Sequence, residues 1–211
     1  MTFRNLVVSH APPYVARMVK RLAVHPRYET QKLACRIGYS EFQQRFSHSI
    51  LFVAGLPKSG TTWLKKMLTS YPGFHEVLIP DVVPYEIANG GSHDYDLPED
   101  MFSRFKSMLV VTKMHVHGSP HNARLLHEAG VKYVVLYRDL RDVAVSHYFY
   151  VRQTPWHPEY LVYSKLSLHE GLALFGVRLL PEFVAWVRSW DKNRDPSLSL
   201  MFRYEDMLED T

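Results

Sequence analysis

A short apolar run that stops at a glycine and resumes one loop later as a helix constrains this chain more than any other stretch. Ser49-Ile50-Leu51-Phe52-Val53-Ala54 has no polar face after its first residue, the pattern of a strand buried on both sides. Gly55-Leu56-Pro57-Lys58-Ser59-Gly60 follows, and Thr61–Tyr71 then reads as a helix ended by Pro72-Gly73. The G-x-x-x-x-G spacing between strand and helix turns backbone N–H groups toward one point at a helix N-terminus, where an anion is stabilised. Thr61 and Thr62 add hydroxyl donors. The lysine lies inside the loop, at Lys58. Thr61 stands where a nucleotide triphosphatase carries its lysine, directly before a Mg²⁺-binding hydroxyl. A P-loop nucleotide kinase and a glycine-rich turn that binds nothing both stay open here.

Three further apolar runs, Met108–Thr112, Tyr133–Tyr137 and Ser199–Phe202, read as strands. Helices are predicted between and after them at 120–129, 141–151 and 168–190. Strands alternating with helices imply an α/β fold: a three-layer, mainly parallel sheet flanked by helices, with a P-loop-like nucleotide-binding core. In such sheets a ligand sits beyond the carboxyl ends of the strands. Residues 1–48 are expected to form a basic N-terminal helical segment packed on the core, and residues 49–211 the α/β domain itself. Within 12–24, Val15, Met18, Val19 and Leu22 share one helical face flanked by Arg17, Lys20 and Arg21. That face packs on the domain or makes a peripheral contact with an anionic membrane. Residues 25–48 read as irregular or weakly helical.

Charge and cysteine usage narrow the function classes. Residues 1–50 hold eight Lys/Arg against two acids, which leaves 17 bases and 19 acids for the rest of the chain. A nucleic-acid-binding face is therefore not expected, and an anion site in the core must come from a few placed groups. The single cysteine, Cys35, excludes an internal disulfide framework and a Cys-rich zinc site. No stretch approaches the roughly 18 consecutive apolar residues of a membrane span. The first residues lack the apolar run and small-residue cleavage site of a secretory signal, so a cytoplasmic location is expected.

Polar residues stand where the predicted strands end. Arg138 closes the third run, where a guanidinium can clamp a phosphate with two N–H bonds. Asp142 favours the start of the next helix, and Ser146 offers a hydroxyl from it. Taken alone, Arg138 fits a pair with Asp139 or Asp142 as well. Lys113-Met114-His115 closes the second run, and a histidine can accept a proton near neutral pH. His115, His117 and His121 also raise a metal site, but no acid lies within the cluster and no metal is expected. Tyr148, Phe149, Tyr150, Trp156, Tyr160 and Tyr163 form either an acceptor wall or a packed loop.

Pro57–Leu64, PKSGTTWL, resembles the 5′-phosphosulfate-binding loop of the PAPS-dependent sulfotransferases, in their soluble, cytosolic-type branch. This family transfers a sulfuryl group from 3′-phosphoadenosine 5′-phosphosulfate (PAPS) to an acceptor hydroxyl or amine. Residues 133–148, with Arg138 at a strand end and Ser146 eight residues on, resemble the family's 3′-phosphate segment. Lys113-Met114-His115 resembles its Lys-Thr-His segment, with methionine in place of threonine. The resemblance implies PAPS as donor, no metal, a small-molecule acceptor and His115 as general base. It places Lys58 at the leaving phosphate oxygen, Lys113 at the sulfuryl oxygens, and Ser59, Gly60, Thr61 and Thr62 around the phosphosulfate. Arg138 and Ser146 are implied to read the 3′-phosphate, Trp63 to stack on adenine, and Tyr204 of Tyr204-Glu205-Asp206 to lie beside it. Val83-Pro84-Tyr85-Glu86 resembles an acceptor-lining stretch. The family's Arg-Lys-Gly segment, which completes the 3′-phosphate clamp, does not occur in the 211 residues. The resemblance thus implies a C-terminally incomplete domain, and a non-catalytic PAPS- or anion-binding role stays open beside the transferase and the kinase.

Overall fold

The computed structural model describes residues 12–82, 84–85 and 93–209. Five strands, β1 (Ile50–Gly55), β2 (His75–Glu76), β3 (Val110–Met114), β4 (Lys132–Tyr137) and β5 (Ser199–Arg203), form one sheet. Their order is β2-β3-β1-β4-β5 and each pairing is parallel. The helices are α1 (Pro13–Phe42), α2 (Thr61–Leu68), α3 (Pro120–Glu128), α4 (Leu140–Arg152), α5 (Tyr160–Tyr163), α6 (Leu168–Arg178), α7 (Leu180–Asn193) and α8 (Asp206–Glu209). The α/β architecture agrees with the expectation. The extra strand, β2, is two polar residues long and left no apolar run to read.

β1 lies at the centre because Phe52, Val53 and Ala54 can be buried on both faces with no polar side chain to satisfy. Its register aligns the carboxyl ends of its neighbours. Ala54 lies opposite Met114, Gly55 opposite Leu136, and Tyr137 opposite Arg203. The residues that follow, His115, Arg138 and Tyr204, therefore emerge along one rim with the loop that leaves Gly55. The strand order also reverses at β1, since the chain passes from β3 on one side to β4 on the other. That is where a doubly wound sheet opens a crevice.

Two helical expectations need correction. The helix predicted over 168–190 is two helices, α6 and α7, because Pro181 sits in the first turn of α7. A proline there has no N–H to give and its ring clashes with the carbonyl four residues back. A capping box between Ser167 and Glu170 starts α6. Residues 25–42 are not irregular but continue α1 through Pro26, with the Thr30 hydroxyl donating to the Pro26 carbonyl at 2.9 Å. Tertiary packing holds this half. Cys35 is fully buried, Leu109 N–H donates to the Cys35 carbonyl, and Leu78 N–H donates to Gln31 Oε1. On the first half, Val15 and Val19 are half-buried while Met18 and Leu22 are exposed, so the four do not share one packed face. The Arg17, Lys20 and Arg21 side chains lie outside what is described. No helix among the described residues is long and apolar enough to cross a membrane.

Gly38 lets α1 cross the turn at Gly73: a Cβ at position 38 would lie 2.0 Å from the Gly73 carbonyl oxygen. Alanine is the better helix former by about 1 kcal/mol, but here its methyl meets backbone, which cannot rotate away. Gly38→Ala should therefore be destabilising by about 1–2 kcal/mol net, read as a lower urea midpoint at unchanged slope.

Candidate active site

The loop after β1 carries two residues in the left-handed region, Lys58 (φ 65°) and Gly60 (φ 77°). A lysine there is uncommon, and such conformations gather at ligand sites. At Gly60 a side chain is doubly excluded, since a Cβ would also lie 2.4 Å from the Tyr204 ring. Thr61 begins α2 and turns its methyl under the strand end, where a Cβ on Gly55 would come within 1.9 Å of it. Ser59 is fully buried behind the loop and its hydroxyl has no hydrogen-bond partner.

The front of the loop faces a cavity of about 590 Å³ at the carboxyl edge of the sheet. Lys58, Gly60, Thr61, Thr62 and Trp63 line it from the loop and α2, Lys113 and His115 from β3 and the residue just beyond it, Arg138 from just beyond β4, Ser146 from α4, and Tyr204 from just beyond β5. The fold thus brings every residue that the resemblance assigns to the donor or to the base to one cavity except Ser59, which is buried and does not line it. Of Val83–Glu86, Val83 and Glu86 lie outside the described residues, and neither Pro84 nor Tyr85 lines the cavity. Of the aromatic group, Tyr150 and Trp156 line it, whereas Tyr148 and Tyr163 are packed inside.

His115 is held by its ring. Nδ1 lies 2.5 Å from the Gly55 carbonyl oxygen, which can only accept, so Nδ1 carries the hydrogen and Nε2 keeps the lone pair of the neutral ring. Burial, then the charges of Lys113 and His93, hold its pKa well below the usual histidine value, against the opposing pull of the Gly55 bond. The result is a neutral imidazole at neutral pH, able to take a proton.

The cations stand close together. Lys58 Nζ lies 3.8 Å from the centre of the Tyr150 ring. Burial first, then Lys113 and Arg138, lower its pKa from the ordinary lysine value. The Arg138 guanidinium lies 4.7 Å from the Tyr204 ring, and that ring stands edge-on to Trp63 at 6.0 Å. The pair with Asp142 that the sequence left open is present but long, at 3.3 Å, and Glu205 is 3.8 Å away. Asp139 pairs with Arg141 instead.

Sequence reasoning missed the helix that steadies this rim. Trp186 and Trp190 of α7 are fully buried and donate their indole N–H groups to the carbonyls of His115 (2.9 Å) and Val116 (3.0 Å). Their i, i+4 spacing marks a buried face but does not say what it meets. His93, with its ring centre 5.8 Å from that of His115, and the buried His147–Glu159 pair also line the cavity unforeseen. His121 Nε2 bonds to the Leu97 carbonyl, and the His117 N–H donates to the His93 carbonyl. Among the described residues no three His, Cys, Asp or Glu side chains are grouped to hold a metal ion.

The family model for the sulfotransferase domain matches residues 49–211, which contain the whole of this cavity's loop and rim. This chain belongs to the sulfotransferase family. It is 27% identical to flavonol 3-sulfotransferase of Flaveria bidentis over 76% of this chain and 52% of that protein. It is 26% identical to sulfotransferase 1E1 of Mus musculus over 76% of this chain and 54% of that one. The fold matches that of mouse sulfotransferase SULT7A1 complexed with PAP, with TM-score 0.53 at 21% identity over 84% of this chain and 60% of the other. The chain spans about half the length of the curated relatives it matches.

The sulfotransferase family uses PAPS, and the chemistry of this sulfotransferase-family cavity fits such a group. Three cations converge on it, and the loop presents amides at a helix start. Trp186→Phe keeps a buried ring but leaves the His115 carbonyl without its donor. We expect a loss of about 1–2 kcal/mol, with faster amide hydrogen exchange at 115–118 than elsewhere in β3.

Proposed function

We propose that this chain binds PAPS and transfers its sulfuryl group to a hydroxyl or amine of a small-molecule acceptor, with His115 as general base. One observation carries the reading: a histidine whose Nδ1 is committed to a backbone carbonyl shares a cavity with a glycine-rich loop and three cations. PAPS supplies a sulfuryl group whose bond to the 5′-phosphate oxygen breaks as the bond to the acceptor oxygen or nitrogen forms. His115 Nε2 takes the acceptor's proton. Lys58 stabilises the charge that grows on the leaving phosphate oxygen. Lys113 and the amides of residues 60–62 hold the sulfuryl oxygens, so that positioning and fixed charge supply most of the rate. The Ser59 amide is taken by the Leu56 carbonyl. Arg138 and Ser146 recognise the 3′-phosphate, and Trp63 and Tyr204 flank the adenine.

The nucleotide-kinase reading has less support, because the position that should carry its lysine is a buried Thr61 packed under Gly55. Calorimetry separates the readings. Adenosine 3′,5′-bisphosphate should bind on the order of tenfold or more tighter than AMP, and Arg138→Ala should abolish that preference. Equal affinity for the two nucleotides would overturn the 3′-phosphate assignment. His115→Ala should eliminate transfer while adenosine 3′,5′-bisphosphate still binds. Turnover surviving in that variant would remove His115 as base, and nucleotide binding without turnover in the unmodified chain would leave a binding role alone.

The pKa shifts set the pH profile. A histidine pKa held below its usual value keeps the base deprotonated through neutrality, so the acid limb of kcat should fall below about pH 6.5. Lys58 must be charged to act, and its lowered pKa should bring the alkaline limb in below about pH 10.5. Lys58→Arg, whose charge does not titrate in this range, should retain part of the activity and lose the alkaline limb.

A further inference from the structure

Two imidazoles in this cavity are tied in the same way. The His115 Nδ1–H is committed to the Gly55 carbonyl, and His93 Nδ1 lies 2.9 Å from Glu182 Oε1. Burial raises the Glu182 pKa, but the hydrogen bond and charge of His93, with His117, outweigh it and keep the carboxyl below its usual value. Glu182 is therefore an acceptor only, so a His93 ring that holds one hydrogen holds it on Nδ1. In that form each ring has its lone pair on Nε2. The rings stand 5.8 Å apart and nearly perpendicular, at 86°, and both line the cavity.

The backbone makes this pair rigid. The His93 N–H also donates to Glu182 Oε1, and the His93 carbonyl accepts from the N–H of His117, two residues beyond the base. Glu182 rides on α7, the helix whose Trp186 and Trp190 hold the carbonyls of His115 and Val116. Around them the cavity wall is apolar at Val77, Ile79, Val82, Leu179 and Phe183, with Phe183 5.9 Å from the His93 ring. A flat apolar body fits such a wall, and the lone pair of His93 is a polar feature placed against it beside the base.

We infer that His93, held by Glu182, is a specificity-determining acceptor contact, and that the acceptor is catechol-like, with two hydroxyls on adjacent carbons of an aromatic ring. The inference rests on the reading of His115 as the base. One hydroxyl gives its proton to His115 Nε2 and becomes the attacking oxygen. The neighbouring hydroxyl keeps its proton and donates a hydrogen bond to His93 Nε2. The 5.8 Å between the ring centres is the gap that two adjacent hydroxyls have to bridge.

The test compares 4-methylcatechol with 4-methylphenol, which differ only in the second hydroxyl. With PAPS, the unmodified chain should favour the catechol in kcat/KM on the order of tenfold, most of it in KM. His93→Phe keeps a ring against His115 and Phe183 and should bring the ratio to about one. His93→Gln, whose amide oxygen accepts, should restore part of it. Calorimetry of the two acceptors with adenosine 3′,5′-bisphosphate present should show the same ratios without turnover. Thermal melts establish that each variant is folded. A catechol preference that is absent, or that survives His93→Phe, overturns this inference and leaves the base assignment standing. Turnover retained in His115→Ala removes the base, and the binding ratios then still report on His93 alone.

Discussion

The hydrogen bond from His115 Nδ1 to the Gly55 carbonyl joins the last residue of β1 to the first residue beyond β3. It is possible because parallel pairing sets Ala54 opposite Met114, so that the two chain ends leave the sheet together. One bond thereby does two things. It couples the start of the anion loop to the proposed base, and it decides which ring nitrogen is open. Shifting β3 by one residue would turn the side chain at this position to the other face of the sheet and lose both. The apolar filling of β1 and β3, where Phe52, Ala54, Val110 and Met114 share one core cluster, is what specifies that register.

α7 protects the arrangement from the other side. Beyond Met114 the backbone leaves the sheet and its carbonyls lose strand partners. Buried and unpaired, each would be destabilising by about 1–3 kcal/mol. Trp186 and Trp190 satisfy two of them, and the Asn193 side chain satisfies the Gly118 carbonyl at 2.8 Å. Gly118 itself is needed for the approach, since a Cβ there would fall 2.7 Å from the Trp190 backbone nitrogen. The segment that carries His115 is thus fixed by side chains some seventy residues away in sequence, and the order of the His115 ring depends on the docking of one helix.

This division explains what the sequence disclosed. Buried parallel strands are continuous apolar runs, so β1, β3 and β4 are legible, the edge strand β5 is legible through Leu200-Met201-Phe202, and the polar residues just past the strand ends point to the cavity. β2 is not, because two paired polar residues make no pattern. The second half of α1 is hidden because its contacts to the sheet run through a few scattered groups, Gln31, Cys35 and Gly38. Pro181 divides an otherwise helical stretch, and the apolar pattern on its two sides does not change at the break. His93, Glu182 and the tryptophans bear on the site only through contacts between distant segments, which no local spacing encodes.

The cation cluster shows how such a site can be assembled before its anion arrives. Lys58, Lys113 and Arg138 repel one another, and the lowered pKa of Lys58 records that strain alongside its burial. Strong internal ion pairs would relieve it but would then compete with a ligand. Arg138 has instead a 3.3 Å contact to Asp142, whose side chain is 57% exposed, and a 3.8 Å contact to Glu205, with its Nε left unbonded. Exposed pairs of that kind contribute about 0–1 kcal/mol, whereas a bidentate guanidinium–phosphate contact is the stronger class. The acids therefore hold Arg138 at the rim and can yield it to a phosphate. Tyr204 works in the same direction, because a ring face under the guanidinium steadies it without using its N–H donors. Weak partners around Arg138 keep it in place and leave its charge available.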